Sequence, residues 1–166
     1  MAGRLSAVKL GRAPRRAALS GATGILLAAA LAACSSAAGQ PATEASFAGY
    51  KWAVASISHD GKTTPVPRKY PVYLQFTPDG HFGANEPVNY HSGNYRVTPG
   101  GFATSGLVQT AVGYSGHDPV VLLSVSAISA FGNQVRALAS VSGSIMTVTV
   151  GSYTLIARQD GRQANF

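Results

Sequence analysis

Every aromatic residue of this 166-residue chain lies at or after Phe47. The seven Tyr, six Phe and single Trp carry the largest apolar areas, so only the part from Phe47 onward can build a core. The first 33 residues instead hold aliphatic side chains, five Lys or Arg, and no acid. The length after Phe47 suits one small domain and leaves no room for two sizeable cores.

The net charge of +7 follows the same division. Residues 1–33 contribute +5 of it, and residues 34–166 contribute only +2. The domain therefore has no strong basic run, which argues against nucleic acid as a partner. The single Cys also excludes an intrachain disulfide framework and a Cys-rich zinc site.

The N-terminal segment is typical of a bacterial export signal. A basic stretch ends at Arg16, and an Ala- and Leu-rich run over residues 17–33 follows it. This run is short for a spanning helix, which needs about 20 apolar residues, but it fits the apolar region of a signal peptide. Arg15 and Arg16 leave twin-arginine export open, with general secretory export as the default.

The end of that segment resembles the lipobox of bacterial lipoproteins. Residues Leu31–Cys34 read Leu-Ala-Ala-Cys, with small residues before the only Cys of the chain. Cleavage is expected between Ala33 and Cys34, whose thiol then carries diacylglycerol. Two acyl chains anchor a protein stably, so we expect attachment to a membrane on the extracytoplasmic side of the cell envelope. A plain signal peptide or an uncleaved anchor is the alternative.

Four regions are predicted along the chain. They are a signal peptide over 1–33, an acylated Cys with a flexible tether over 34–46, a folded domain over 47–158 and a polar tail over 159–166. The tether is assigned because residues 35–46 are small, polar and without periodicity.

Alternating apolar and polar side chains predict β-strands through most of the domain. Tyr50, Trp52 and Val54 share one face of the opening strand, and Asp79-Gly80 is a hairpin signal. One helix is predicted, with Asp118 as its N-cap and Pro119 at its first position. Its buried face is expected to carry Val121, Leu122, Val125 and Ile128. This pattern indicates a mainly β (α+β) domain.

Seven residues stand in a spaced order along the predicted elements. They are Trp52, Asp79, Gly80, Asn89, Gly93, Tyr95 and Thr110. In this order the region Tyr50–Arg158 resembles the META family, which includes HslJ-like envelope lipoproteins. The resemblance implies a small antiparallel β-sheet or half-open barrel with one helix, in which these residues are structural, with a ligand contact as the alternative role for Asn89. Val88 and Tyr114 replace two cysteines of the family pattern, and these apolar replacements are expected at buried positions.

No motif predicts catalysis or metal binding. The four His residues, His59, His81, His91 and His117, are interpreted as exposed loop residues because none has metal-ligand spacing. His81 and His91 flank a turn, which leaves a metal site there as the alternative. Residues 113–117 fail as a nucleophile elbow because the last position is His. We therefore expect no cofactor, no metal and no enzymatic activity.

The function predicted from these features is that of a lipid-anchored, non-enzymatic envelope protein, with a role in protein interaction or envelope stress tolerance. A cluster of tyrosines, Tyr70, Tyr73, Tyr90 and Tyr95, would serve either as a binding surface or as core packing, and packing is favoured. A small-ligand carrier that uses the barrel interior is the alternative. A hydrolase built from loop acids and histidines is a further one.

Overall fold

Strand alternation and turn residues set the local structure of residues 40–162, the part of the chain that the computed structural model describes. The elements in chain order are β1 Gln40–Pro41, α1 Glu44–Phe47, β2 Tyr50–His59, β3 Lys62–Pro65, β4 Tyr73–Phe76, β5 His81–Asn85, β6 Tyr90–Thr98, β7 Gly101–Gln109, α2 Pro119–Ser129, β8 Arg136–Ser142, β9 Ile145–Val150 and β10 Tyr153–Arg162. Within this range neither helix is both long and apolar enough to cross a membrane.

Eight of these strands close into an antiparallel barrel. The order is β2, β4, β5, β6, β7, β8, β9 and β10, and β10 pairs back onto β2. The prediction of a mainly β fold is confirmed, but the barrel is closed rather than an open sheet or a half-open barrel. Closure satisfies the backbone groups that edge strands leave unpaired. The remaining short strands lie outside the ring, β1 on β8 and β3 on β2.

Five phenylalanines fill the barrel interior. Phe47 enters from α1 and meets Phe76 at a centroid distance of 4.8 Å, and Phe76 meets Phe102 at 4.9 Å. Phe131, just after α2, lies 5.5 Å from Phe82 and stacks on Phe102. None of the five is more than 2% exposed. This packed cluster occupies the space that the carrier alternative would use.

The N-terminal end of the described region packs on the barrel. Gln40 pairs with Val141 of β8, and the Ala42 amide donates to the Ala139 carbonyl at 2.9 Å. Ala42 is only 4% exposed. Residues 40–46 were predicted as part of a flexible tether, whereas in the structure residues 40–42 bond to the part of β8 that β7 does not reach and α1 follows them. Residues 34–39 and the signal peptide lie outside the described residues.

The C-terminal strand is longer than its apolar pattern suggests. The pattern ends the domain at residue 158, whereas β10 continues to Arg162. Its polar half still pairs with β2, where Arg162 lies opposite Tyr50. Side chains on the outer wall of a barrel need not be apolar, so the end of the alternation does not mark the end of the strand. Residues 163–166 lie outside the described part.

Helix α2 begins as predicted. The Asp118 carboxylate accepts hydrogen bonds from the backbone amides of Val120, at 2.9 Å, and Val121. The buried face is rotated from the predicted one, because Leu122 is 45% exposed and Ser124 is fully buried. Ser124 fits there because its hydroxyl donates to the Val120 carbonyl at 2.7 Å, which satisfies its polar group inside the helix.

Candidate binding groove

A groove of about 570 Å³ runs over the outer wall of the barrel between β2, β4, β10 and the loop over residues 66–72. Its floor is formed by Ala53 and Ala55 of β2. Residues on the outer wall of a barrel alternate with buried ones, and at these two positions the outward side chain is only a methyl group. The small floor leaves a depression between taller neighbouring side chains.

A β-bulge shapes this floor. Ser56 pairs with Ile156 of β10 while Val54 pairs with Ala157, so Ala55 is an extra residue in β2. The bulge also shifts the buried alternation from Trp52 and Val54 to Ile57. Bulges bend a strand and redirect its side chains, and this one lets the Ala55 carbonyl accept a hydrogen bond from the loop.

The loop wall of the groove is held at three points. The Val66 amide donates to the Ala55 carbonyl at 2.8 Å, and the Val54 amide donates to the Val72 carbonyl at 2.9 Å. The Tyr70 hydroxyl donates to the carboxylate of Asp118, the N-cap of α2. This hydrogen bond is the main reason that the pKa of Asp118 is lowered from its ordinary value. The loop is thereby fixed to β2 and α2.

The opposite wall carries a charged cluster. Lys51 Nζ lies 3.6 Å from Asp160 Oδ2 and 4.2 Å from the centre of the Tyr73 ring. Three cations and one carboxylate line the groove: Lys51, Arg68, Arg158 and Asp160. Arg68 and Arg158 are exposed, and no ion pair between residues 40 and 162 uses their guanidinium groups. The groove therefore has a net charge of +2 near neutral pH.

Three of the predicted motif residues meet at the turn between β4 and β5. Gly80 has φ of +89°, a conformation that favours Gly. Its carbonyl accepts from the Tyr95 amide at 2.8 Å, and the Tyr95 hydroxyl donates to the Thr77 carbonyl at 2.8 Å. Burial raises the pKa of Tyr95 to about 12. A hydrogen bond from Thr77 lowers the pKa of the exposed Asp79.

Two further motif residues form one network. Asn89 Oδ1 accepts from the Thr110 hydroxyl at 3.0 Å and from the Val112 amide at 2.8 Å, and its Nδ2 donates to the Val112 carbonyl at 3.1 Å. Thr110 in turn accepts from the Tyr90 amide at 3.1 Å. Asn89 thus holds the segment after β7 against the start of β6, which is a structural role.

Trp52 and Gly93 are also structural. Trp52 is 1% exposed, and its indole Nε1 donates to the Phe47 carbonyl at 3.1 Å, which fixes α1 over the barrel end. Gly93 lies at a register shift between β6 and β7. A Cβ there would stand 2.7 Å from the Ser105 carbonyl oxygen, so only Gly fits. None of the seven motif residues lines the groove.

Part of the barrel, including the strands that carry these residues, is similar to a known protein family. Residues 45–113 match the family model of the META domain. We refer to residues 45–113 as the META segment. The META segment contains β2 to β7, and α2 and the last three strands of the barrel follow it. No curated protein matches the chain at a significant level.

Two solved structures share the fold. An NMR structure of a protein from Burkholderia xenovorans superposes with a TM-score of 0.58 at 15% identity, covering 92% of this chain and 100% of the other. A second NMR structure gives a TM-score of 0.54 at 19% identity, covering 70% of this chain and 94% of the other. At such identities the likeness concerns the fold alone. It extends beyond the META segment, which covers less than half of the chain.

The sequence reasoning did not find a buried pair of titratable residues, Glu86 and His91, in the META segment. Glu86 and His91 are 2% and 4% exposed, and Glu86 Oε1 lies 3.8 Å from His91 Nε2, too far for a hydrogen bond. Neither of these two atoms has a hydrogen-bond partner in the described structure, whereas Glu86 Oε2 accepts from the Val88 amide at 2.7 Å. The alternation of Glu86 with the buried Phe82 and Ala84 was the available signal.

The other histidines do not converge with this pair. His81 and His91 lie at opposite ends of β5 and β6, since His81 pairs with Asn94 and His91 with Ala84. His117 is exposed, as expected, but the prediction of exposed histidines is wrong for His91 because it faces the interior. No three His, Cys, Asp or Glu side chains between residues 40 and 162 are grouped as metal ligands would be.

The four clustered tyrosines divide between the two predicted roles, core packing and a binding surface. Tyr95 packs in the core, and Tyr90 covers Gly83, where a Cβ would lie 2.6 Å from the Tyr90 hydroxyl. Tyr70 and Tyr73 instead line the groove. The residues that line the groove could not be grouped from the sequence, because they come from β2, β4, β10 and a loop.

The two positions where the META pattern has cysteines are not equally buried. Val88 is half-buried, whereas Tyr114 is 39% exposed. The expectation that both replacements are buried is therefore wrong for Tyr114, which lies in the irregular segment between β7 and α2. Cys34 and Ala33, the predicted lipidation and cleavage positions, lie outside the described residues.

Proposed function

We propose that this chain is a lipid-anchored protein of the bacterial envelope whose barrel is a non-enzymatic binding module for another envelope protein. The single observation that carries the anchor is the position of Cys34, the only Cys, at the end of Leu-Ala-Ala-Cys and directly after the basic and apolar segments. That placement matches the point at which diacylglycerol is added to lipoproteins. The anchor would hold the barrel on the extracytoplasmic side of the membrane.

The groove supports the binding part of this proposal. It is concave, about 570 Å³ in volume, and lined by two tyrosines and by charged side chains from separate elements. Tyr and Arg are enriched in protein interfaces. Its loop wall is fixed by Tyr70 and Asp118 and its floor by two paired strands. A rigid surface loses little entropy when a partner binds.

The anchor is tested by labelling with a palmitate analogue in a bacterial host. The wild-type chain should take up the label, shorten to its processed length and sediment with membranes. Cys34→Ala should remain unlabelled at the length of the precursor, while the matched control Ser35→Ala behaves as wild type. Label on the Cys34→Ala protein would show that the anchor lies elsewhere.

The binding role is tested by photo-crosslinking in intact cells. A benzophenone amino acid at Ala53, in the groove floor, should give a discrete adduct with an envelope protein. The same group at Leu138, which is 55% exposed and outside the groove, is the control. Identical adducts from both positions would contradict a specific role for the groove.

A further inference from the structure

We propose that the groove binds an extended acidic peptide segment of its partner, with Arg68 and Arg158 as the groups that contact the peptide carboxylates. This inference rests on the proposed function, because it names the chemistry of the partner that the groove would receive. It uses groove residues that the META motif does not include.

Only one of the three cations in the groove forms an ion pair with another residue of the described chain. Asp160 lies 3.6 Å from Lys51, so its carboxylate offsets that cation. Arg68 and Arg158 have no ion-pair partner within the described chain. A guanidinium group presents a planar set of donors that matches a carboxylate in a two-point contact. Two such groups on the walls of one groove favour a ligand with more than one carboxylate.

The shape of the groove favours a peptide over a membrane surface. Its floor is recessed, because Ala53 and Ala55 lie beneath the taller side chains of Lys51 and Tyr73. A flat layer of lipid headgroups cannot reach such a floor, whereas an extended peptide can lie in it. The Tyr70 and Tyr73 rings supply apolar contact beside the charges.

The backbone at both arginines is fixed by hydrogen bonds to neighbouring elements. Arg68 lies on the loop that Val66 and Tyr70 fix to β2 and α2. Arg158 lies on β10, where it pairs with Ala53 of β2 on one side and with Ile145 of β9 on the other. Placing charges on fixed elements reduces the ordering cost of binding.

The test uses the full chain with Cys34→Ala, which prevents lipidation, purified in mild detergent. Fluorescence anisotropy measures binding of a fluorescein-labelled octaglutamate peptide, with octalysine as the opposite-charge control. Octaglutamate should bind, octalysine should not, and added salt should weaken the binding. The double variant Arg68→Ala/Arg158→Ala should lose roughly tenfold or more in affinity, since hydrogen bonds to charged groups have this magnitude.

The matched control is Lys62→Ala/Arg96→Ala, which removes two exposed positive charges outside the groove. It should bind octaglutamate as wild type does. Asp160→Asn should strengthen binding several-fold, because it frees Lys51 and removes a repelling carboxylate. All the substituted side chains in these three variants are exposed, so circular dichroism should report an unchanged fold for each variant.

Three results would overturn the inference: no binding of octaglutamate, equal loss in the two double variants, or arginine-dependent binding to vesicles of phosphatidylglycerol and phosphatidylcholine without peptide binding. The last would assign the groove to the membrane surface. Each leaves the palmitate labelling unaffected. A groove-specific adduct at Ala53 alongside failed octaglutamate binding would keep the proposed function and reject only the acidic partner.

Discussion

The hydroxyl of Thr110 donates a hydrogen bond of 3.0 Å to Oδ1 of Asn89, 21 residues earlier in the chain. The same oxygen accepts from the Val112 amide, so one amide side chain holds the segment after β7. We expect Thr110→Val, which keeps the shape and removes the hydroxyl, to lower the free energy of unfolding by about 1 kcal/mol. Urea unfolding measures this. Thr110→Ser, which keeps the hydroxyl, should lose less, and equal losses would contradict the role of the hydrogen bond.

Gly93 is expected to reject any side chain. A methyl group there would stand 2.7 Å from both Leu107 Cδ2 and the Ser105 carbonyl oxygen. Because the Ser105 oxygen belongs to the backbone, Gly93→Ala should destabilise the barrel by about 1–3 kcal/mol. Gly113→Ala is the matched control, with no atom within 4 Å of the new Cβ, and should leave the urea midpoint unchanged or raised. A tolerated Gly93→Ala would refute the close packing.

Stability is expected to fall with acidification because of His91. Burial lowers the pKa of His91 from its ordinary 6.5, and the Glu86 carboxylate at 3.8 Å only partly opposes this. The unfolded chain, with its ordinary pKa, therefore binds the proton more readily. The contribution of the neutral imidazole is complete above about pH 6.5 and is lost as the pH falls toward the folded pKa.

The measurement compares urea midpoints at about pH 7.5 and about pH 5, which bracket the ordinary titration of His. His91→Gln should lose less stability between these values than wild type does. His117→Gln, at an exposed position, should keep the wild-type difference. The same pH dependence in His91→Gln as in wild type would exclude His91 as its source.

The hydrogen bond from Tyr70 to Asp118 should be visible as a titration shift. This hydrogen bond is the largest cause of the lowered pKa of Asp118. Tyr70→Phe keeps the ring in the groove wall and removes the donor, so the pKa of Asp118 should rise toward its ordinary value. Carbon-13 NMR of the carboxyl group follows this. Asp79, whose pKa is lowered chiefly by Thr77, is the internal control and should not move.

Several local features could be predicted from the sequence because each depends on a few neighbouring residues. Asp79-Gly80 forms the predicted hairpin turn, with positive φ at Gly80. Asp118 and Pro119 begin the predicted helix. Trp52 and Val54 are buried on one face, as their alternation indicates. Turn geometry, N-caps and strand periodicity are set within one or two turns of chain.

The groove and the buried Glu86–His91 pair could not be predicted in the same way. The groove joins β2 to β10, whose pairing residues are about a hundred positions apart, and its floor depends on the bulge at Ala55. Asn89 and Thr110 were each marked as structural, but no pattern indicated that they bind each other. His91 was assigned to a loop because its burial depends on the strand that pairs beside it.

The amino-acid sequence by itself determined which part of the chain carries the aromatic core residues, where the Asp79-Gly80 turn and the start of α2 lie, and that the only Cys directly follows Leu-Ala-Ala. Only the tertiary structure decided that the barrel closes, that Tyr114 is exposed, and that two arginines flank one groove. The physical reason is one of range. Local conformation follows from neighbouring side chains, whereas closure depends on register between distant strands, and a single bulge changes which side chains share a face.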